Sequence, residues 1–313
     1  MTTRTAAGAA AYMKGACLRA AAAASCLAAA CAHGGPPRGE TAPAAGQVVF
    51  FDDFSGPTLD RTRWTVRVTG ADHGTVNNEQ QAYVDDEGRE AATLAVVHGA
   101  EAAGASGGAL RIVARARPGF EARDGRRYEF VSGRLDTRGK VAFTYGTAAA
   151  RMKLPAGAGL WPAFWALGTG PWPATGEIDV MENVGDPAWV SSALHGPGYS
   201  GDTPLVERAV FPPGQDVTGW HVYAVDWAPD TLTFRVDDRA VYTVLRASVE
   251  RYGRWAFDNP KFLILNFALG GGYPRAVNHV DAPYPGLPEA TVRRIQAGDA
   301  VVLVDWVRVT RRR

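Results

Sequence analysis

Apolar and polar side chains alternate along most of the chain after residue 45. ALRIVARA at 109–116 and TLTFRVDD at 231–238 show a clean period of two. In the second, Leu232, Phe234 and Val236 share one face, and Thr231, Thr233 and Arg235 share the other. That pattern belongs to a strand with one buried side. VYAVDWA (222–228), AVYTVL (240–245), FLILNFAL (262–269) and VVLVDWVRV (301–309) read as further strands, separated by Gly, Pro and Asp turns. No long segment carries the 3.6-residue period of a helix. About a dozen short strands without competing helices predict an all-β fold, a two-sheet antiparallel β-sandwich. No internal repeat and no appended binding module is visible.

One strand breaks the apolar rule. Gly176-Glu177-Ile178-Asp179-Val180-Met181-Glu182 places three carboxylates among three apolar residues. Period two puts Glu177 and Asp179 on one face. Glu182 lies five positions beyond Glu177 and falls on the opposite face of a regular strand. One extra residue, a β-bulge near Met181, returns it to phase. Acids in a buried strand are costly and need a reason.

Composition narrows the setting. The 313 residues suffice for one large domain or two small ones. Residues 1–31 read as a signal peptide, with Arg4, Lys14 and Arg19 before the run AAAAASCLAAACAHGG. Met13-Lys14 makes a tighter start than Met1. Leu27-Ala-Ala-Ala-Cys31 fits a lipoprotein cleavage site with a lipid anchor at Cys31; a plain signal peptide cut near Ala32 fits as well. Residues 32–46, which include PPRGETAPAAG, read as a disordered tether. Cys17, Cys26 and Cys31 all sit in the leader, so the folded part has no disulfides and no cysteine metal site. Residues 1–45 hold four bases (Arg4, Lys14, Arg19, Arg38) and one acid (Glu40), so the remaining 29 basic and 31 acidic residues give a net of −2. That leaves no footprint for nucleic acid or an anionic membrane. A neutral polymer suits it better, and a monomer is expected.

Two carboxyl groups and a third between them fit glycoside hydrolysis. One acts as nucleophile and one donates a proton, while the third pushes their pKa values apart. Trp161 and Trp165, in WPAFW, are four apart and share a face, with Phe164 turned toward the core. Indole rings stack on the apolar faces of pyranoses. The same two tryptophans also read as ordinary core.

GEIDVMENVG resembles the catalytic strand of glycoside hydrolase family 16, in the bulged E-x-D-x-x-E form of laminarinase-like bacterial endo-β-1,3-glucanases. NNEQQAYVD (77–85), SGRLDTRGK (132–140), LPAGAGLWPAFWALG (154–168), GWHVYAVDW (219–227), FLILNFALGGGYP (262–274) and VDWVRV (304–309) resemble family segments in family order. The resemblance spans roughly 47 to 310, so 47–311 is expected to be the catalytic domain.

The resemblance implies a β-jelly roll whose concave sheet carries the substrate cleft. It implies a secreted or surface-anchored, retaining endo-β-glucanase acting on β-1,3-linked or mixed-linkage β-1,3-1,4 glucan. Glu177 would be the nucleophile, Glu182 the acid and base, and Asp179 the tuning acid between them. Retention requires carboxyl groups about 5–5.5 Å apart. A cell-wall glycan transglycosylase uses the same acids, and a galactan is an alternative substrate. A non-catalytic glucan-binding relative would lose the acids, and this chain keeps all three.

Family correspondence also makes Trp161 and Trp165 a cleft-lining pair, with Trp172 at the rim. Trp64, Trp227 and Trp306 are expected between the sheets. Asn78 and Glu79 match the glycone-side cleft wall. His195 matches a position beside the acid/base; it also reads as a satisfied strand histidine. No catalytic cofactor is implied. A structural calcium far from the cleft is implied at Asp53 and Asp305, which also read as ordinary capping or surface acids. One departure stands out. The family pattern YGRxEAR is YGTAAAR at 145–151, with Thr147 and Ala149 in place of Arg and Glu. An ion pair bracing the cleft is then expected to be missing.

Overall fold

The computed structural model describes residues 46–311. The leader, the tether and Cys31 lie outside the described residues. Eighteen strands run in chain order among the described residues. The first six are β1 (Gln47–Asp52), β2 (Thr65–Val66), β3 (Gln81–Tyr83), β4 (Leu94–Val97), β5 (Ala109–Val113) and β6 (Arg115–Glu121). Next come β7 (Arg127–Ser132), β8 (Arg134–Asp136), β9 (Gly146–Lys153), β10 (Leu160–Gly168), β11 (Glu177–Glu182) and β12 (Trp189–His195). The last are β13 (Leu205–Val210), β14 (His221–Ala228), β15 (Thr231–Val236), β16 (Arg239–Leu245), β17 (Lys261–Leu269) and β18 (Val301–Arg311). Short helices cover Arg246–Val249 (α1), Gly272–Asn278 (α2) and Glu289–Ala297 (α3).

Two antiparallel sheets form the sandwich. One has the order β13-β12-β11-β10-β17-β8-β2 and carries the acid strand at its middle. The other runs β16-β15-β14-β9-β18-β5-β4, with β1 added alongside β18. A third, three-stranded sheet, β3-β7-β6, includes the parallel pair β3–β7, a feature the alternation pattern does not foretell.

The core lies between the two large sheets. From the acid-bearing sheet it takes Phe164, Ile178, Val180, Met181, Val190, Leu194, Leu263, Leu265 and Phe267. From the other it takes Ala148, Ala150, Met152, Tyr223, Val225, Trp227, Leu232 and Phe234. These are the alternate positions of each strand, as period two demands, except at the adjacent pair Val180 and Met181. Truncating one fully buried aromatic such as Phe164 to Ala would cost about 3–5 kcal/mol. The opposite face of the acid-bearing sheet is left free to carry chemistry.

Trp64 and Trp227 are in this core, as expected. Trp306 is not. The β9–β18 register shifts between Val304 and Trp306. That bulge turns Trp306 outward, where the Arg308 guanidinium lies 5.2 Å from its ring. Val307 and Val309 take the core positions instead.

Thr147 and Ala149 also correct an expectation. They belong to β9, in the sheet without the acids, and alternate with the core residues Ala148 and Ala150. Thr147 Oγ1 donates to Asp226 Oδ1 at 2.6 Å. The substitution therefore sits on the outer face and braces nothing at the cleft.

Candidate active site

The bulge near Met181 is present and it sets the site. Against β10, Trp165 faces Asp179 and Phe164 faces Met181, so Val180 has no partner there. Against β12, Asp179 faces Ala193 and Glu182 faces Ser191. Val180 and Met181 therefore stand together opposite Ser192, whose Oγ donates to the Val180 carbonyl at 2.9 Å. Ile178, Val180 and Met181 all enter the core. Glu177, Asp179 and Glu182 are left on the other face.

Cross-strand rows lay out that face. One row is Arg134–Asn266–Ala163–Glu182–Ser191–Arg208. The next is Asp136–Ile264–Trp165–Asp179–Ala193–Val206. A third sets Leu167, Glu177 and His195 side by side. The three acids thus occupy three successive rows at the centre of the sheet.

Two of the acids each accept from an indole. Trp172 Nε1 donates to Glu177 Oε2 at 2.5 Å. Trp161 Nε1 donates to Glu182 Oε1 at 2.9 Å. His195 Nε2 lies 3.3 Å from Asp179 Oδ2, out of line for a hydrogen bond. Asp179 Oδ2 and His195 Nδ1 are buried with no hydrogen-bond partner among the described residues. Polar atoms left open in a cleft floor are ready for substrate hydroxyls.

Burial dominates the electrostatics. Glu177 is pushed up to about 8, first by burial and then by the neighbouring Asp179 charge. Glu182 is pushed up to about 7 by burial, against the pull of the Trp161 N–H and His195. Asp179 is raised well above the usual carboxylate range by burial and then by Glu182. Three close carboxyls in a desolvated floor do not all ionise near neutrality, so they titrate as a set.

The aromatic pair is placed on the acid face, but each ring is already engaged. Trp161 is nearly buried and meets Tyr273 edge-on, with ring centroids 5.5 Å apart. It belongs to a small apolar cluster with Val184, Trp189 and Ala268. Trp165 Nε1 donates to Asn266 Oδ1 at 2.7 Å, and the Arg134 guanidinium lies 4.8 Å from its ring centroid. Trp172 is 52% exposed at the rim, its ring 6.2 Å from that of His195.

Glu79, expected on the cleft wall, is buried. Its Oε2 accepts from Gln81 Nε2 at 2.8 Å and from Tyr83 Oη at 3.0 Å. Tyr83 Oη in turn accepts from Asn266 Nδ2 at 3.1 Å. A continuous hydrogen-bond chain thus runs from Trp165 through Asn266 and Tyr83 to Glu79. Asn78 is exposed beside it, in a left-handed backbone conformation. Sequence reasoning missed Gln81, Tyr83, Arg134 and Asn266. The signal for Asn266 was present: one amide in the apolar run FLILNFAL, in phase with Ile264 and Ala268. Arg134 is 7% exposed, and its Nε has no partner among the described residues.

The calcium expectation meets a different chemistry. Asp305 is fully buried; its carboxylate accepts from Arg151 Nη1 at 2.5 Å and from the Ser106 backbone N–H at 2.7 Å. Arg151 also donates to the Gly104 carbonyl at 2.8 Å. Asp53 Oδ1 accepts from Ser55 Oγ at 2.7 Å in a local turn. A guanidinium already supplies the cation at Asp305, and the two carboxylates do not form an oxygen cage. The residues present do not fit the ion, and no role is derived from it. A different group, Glu177, Asp179 and His195, offers ligand atoms within 4.8 Å of one another. These are the cleft residues themselves.

Comparison with known proteins agrees with the two-sheet fold. The model of glycosyl hydrolases family 16 matches residues 73–276. A β-glucanase of Rhodothermus marinus is 34% identical over 293 residues, covering 90% of each chain. The solved endo-β-1,3-glucanase of Pyrococcus furiosus superimposes with a TM-score of 0.71 at 32% identity, covering 84% of this chain and 94% of that one. A keratan-sulfate endo-1,4-β-galactosidase of Sphingobacterium multivorum is 32% identical over 163 residues, which is 50% of this chain and 38% of the relative.

Proposed function

The chain belongs to glycosyl hydrolases family 16, and on that premise we propose that it cuts β-1,3-linked or mixed-linkage β-1,3-1,4 glucan internally by double displacement. It is a glycoside hydrolase, and this chemistry needs no catalytic cofactor. The observation that carries the proposal is the bulged strand that turns Glu177, Asp179 and Glu182 to one face.

Glu177 attacks the anomeric carbon while Glu182 protonates the departing glycosidic oxygen. Glu182, now a carboxylate, then takes a proton from water, and that water releases the sugar from Glu177. Asp179 retains a proton, which removes one of the two main causes raising Glu177 and leaves Glu177 free to ionise. Trp172 donates to the carboxylate form of Glu177. The Trp161 N–H keeps Glu182 from rising further, so it can both give and take a proton near neutrality. His195 and Arg134 offer polar atoms to sugar hydroxyls. Trp165, braced by Arg134 and Asn266, supplies an apolar platform.

A galactan is the second reading, supported by the likeness to the galactosidase named above. Transfer to a sugar acceptor instead of water uses the same acids. Export, with lipidation at Cys31 or cleavage near Ala32, is part of the proposal and rests on the leader's sequence. Product analysis on laminarin, curdlan, lichenan, agarose and carrageenan tests the substrate. Shortened β-glucan oligosaccharides are expected from the first three, and none from the last two.

A further inference from the structure

The hydrolytic scheme leaves one buried ionisable group unused. Lys261 opens β17 at a core-facing position and is fully buried. Its ammonium has no carboxylate partner among the described residues. Instead Nζ donates to the Thr175 carbonyl at 2.6 Å, Asn259 Oδ1 at 3.0 Å and the Ala256 carbonyl at 3.2 Å, with the Asn259 carbonyl a more distant fourth acceptor at 3.5 Å. The three nearest acceptors match the three N–H bonds of an ammonium. The faces of Trp227 and Phe257 flank it at 5.5 and 5.6 Å. A charge is not kept in a sandwich core without a return.

The acceptors show what is tied together. Thr175 ends the turn Pro171–Gly176, which leads directly into Glu177. Its N–H bonds to the Pro171 carbonyl and so closes the turn that presents Trp172. Ala256 and Asn259 belong to the loop before β17, and Arg254 of the same loop donates to the Ala174 carbonyl at 2.7 Å. The turn is thus pinned from beneath by Lys261 and from the side by Arg254. Trp172, carried on that turn, is the hydrogen-bond donor to Glu177.

We propose that Lys261 is a positioning residue for the reaction: through the Thr175 carbonyl it holds the Trp172 turn so that the indole N–H meets Glu177. The inference rests on the hydrolase reading above. Lys261 touches neither substrate nor acid, and acts only through the turn. Burial lowers its own pKa to about 7, with Asp258 pulling the other way. A methionine of similar length fills the space but donates to none of the three oxygens. The turn then loses its anchor, and the hydrogen bond to Glu177 loosens.

The test is a double-mutant cycle of Lys261→Met and Trp172→Phe. Each single variant is expected to lower kcat/KM on laminarin about tenfold and to move the acidic limb of its pH profile upward, because Glu177 loses a donor to its charged form. The double variant is expected to be no worse than Trp172→Phe alone. Multiplicative losses, or an unmoved limb with only a lower melting temperature, would overturn the proposal and leave Lys261 as a core residue. If Lys261→Met does not fold, Lys261→Gln, which still donates toward Thr175, is put through the same cycle with a smaller shift expected. Wild-type turnover of laminarin separately checks the underlying activity. Titration of Glu177 followed by carboxyl carbon NMR reads the same coupling without substrate, so the two ideas fail independently.

Discussion

The indole N–H of Trp161 donates to Oε1 of Glu182 at 2.9 Å, across neighbouring strands. A donor aimed at a carboxylate favours the charged form and holds its pKa down. Trp161→Phe removes the donor and keeps most of the ring. Glu182 then stays protonated to higher pH, so the basic limb of the kcat/KM profile should move up. The rate at the optimum should fall by less than about tenfold. A profile that keeps its basic limb in place would show that Trp161 does not tune the proton donor.

The raised acids make a statement about stability. Glu177 is raised from an ordinary value of 4.5 to about 8 by burial and by a charged Asp179 beside it, and the three carboxyls lose their protons as a set. Between those values the unfolded chain has already lost the proton that the folded chain keeps, so stability falls as pH rises through that window. Glu177→Gln cannot ionise and escapes this loss. It should abolish hydrolysis yet melt higher than the parent protein at pH near 8, by roughly 2–4 °C for each kcal/mol recovered. The gap should close toward pH near 4.5. A variant that melts lower at both pH values would contradict the electrostatic reading.

The acid strand was legible because period two and one inserted residue are enough to place three carboxylates. Phe164 was legible for the same reason. Trp306 was not, since the bulge beside Asp305 reverses the phase of β18 and nothing in VVLVDWVRV announces it. Thr147 and Ala149 stood out as a departure, but their place away from the cleft was not legible, because alternation gives the face of a strand and not its neighbours. The Asn266–Tyr83 contact joins residues 183 apart in the chain. Tyr83 is on β3 of the small sheet and Asn266 on β17 of the acid-bearing sheet, so only the approach of these two sheets brings them together and no local pattern reports it. Lys261 looked like a residue before a strand; its pairing with Gly168 puts it inside the sandwich.

Strand phase itself can be tested. Val180 and Met181 share one place opposite Ser192. Deleting Met181 leaves the second glutamate four residues after Glu177, still on the acid face of a regular strand. Inserting one Ala after Met181 moves it six residues from Glu177, and with the bulge retained it turns to the core side. The deletion variant, where folded, should keep measurable activity, and the folded insertion variant should have none. Similar activity in both would show that the bulge does not place Glu182.

The chain from Trp165 to Glu79 predicts a binding effect rather than a chemical one. Asn266→Ala removes the acceptor of the indole N–H and leaves Tyr83 without its donor. KM for long oligosaccharides should rise about tenfold while kcat changes little, since a loosened platform weakens ground state and transition state alike. Inhibition constants for oligosaccharide products measure the same loss. A fall in kcat at constant KM would place Asn266 in the chemistry instead.

The account centres on Glu177 as nucleophile and Glu182 as acid and base, both turned to one face by a single bulge. The most direct measurement is the anomeric configuration of the reducing ends released from laminarin, followed by proton NMR before mutarotation sets in. Double displacement predicts that the β-anomer appears first and that the α-anomer grows only afterwards. Release of the α-anomer first would mean single displacement by water, and the roles given to Glu177 and Glu182 would be wrong.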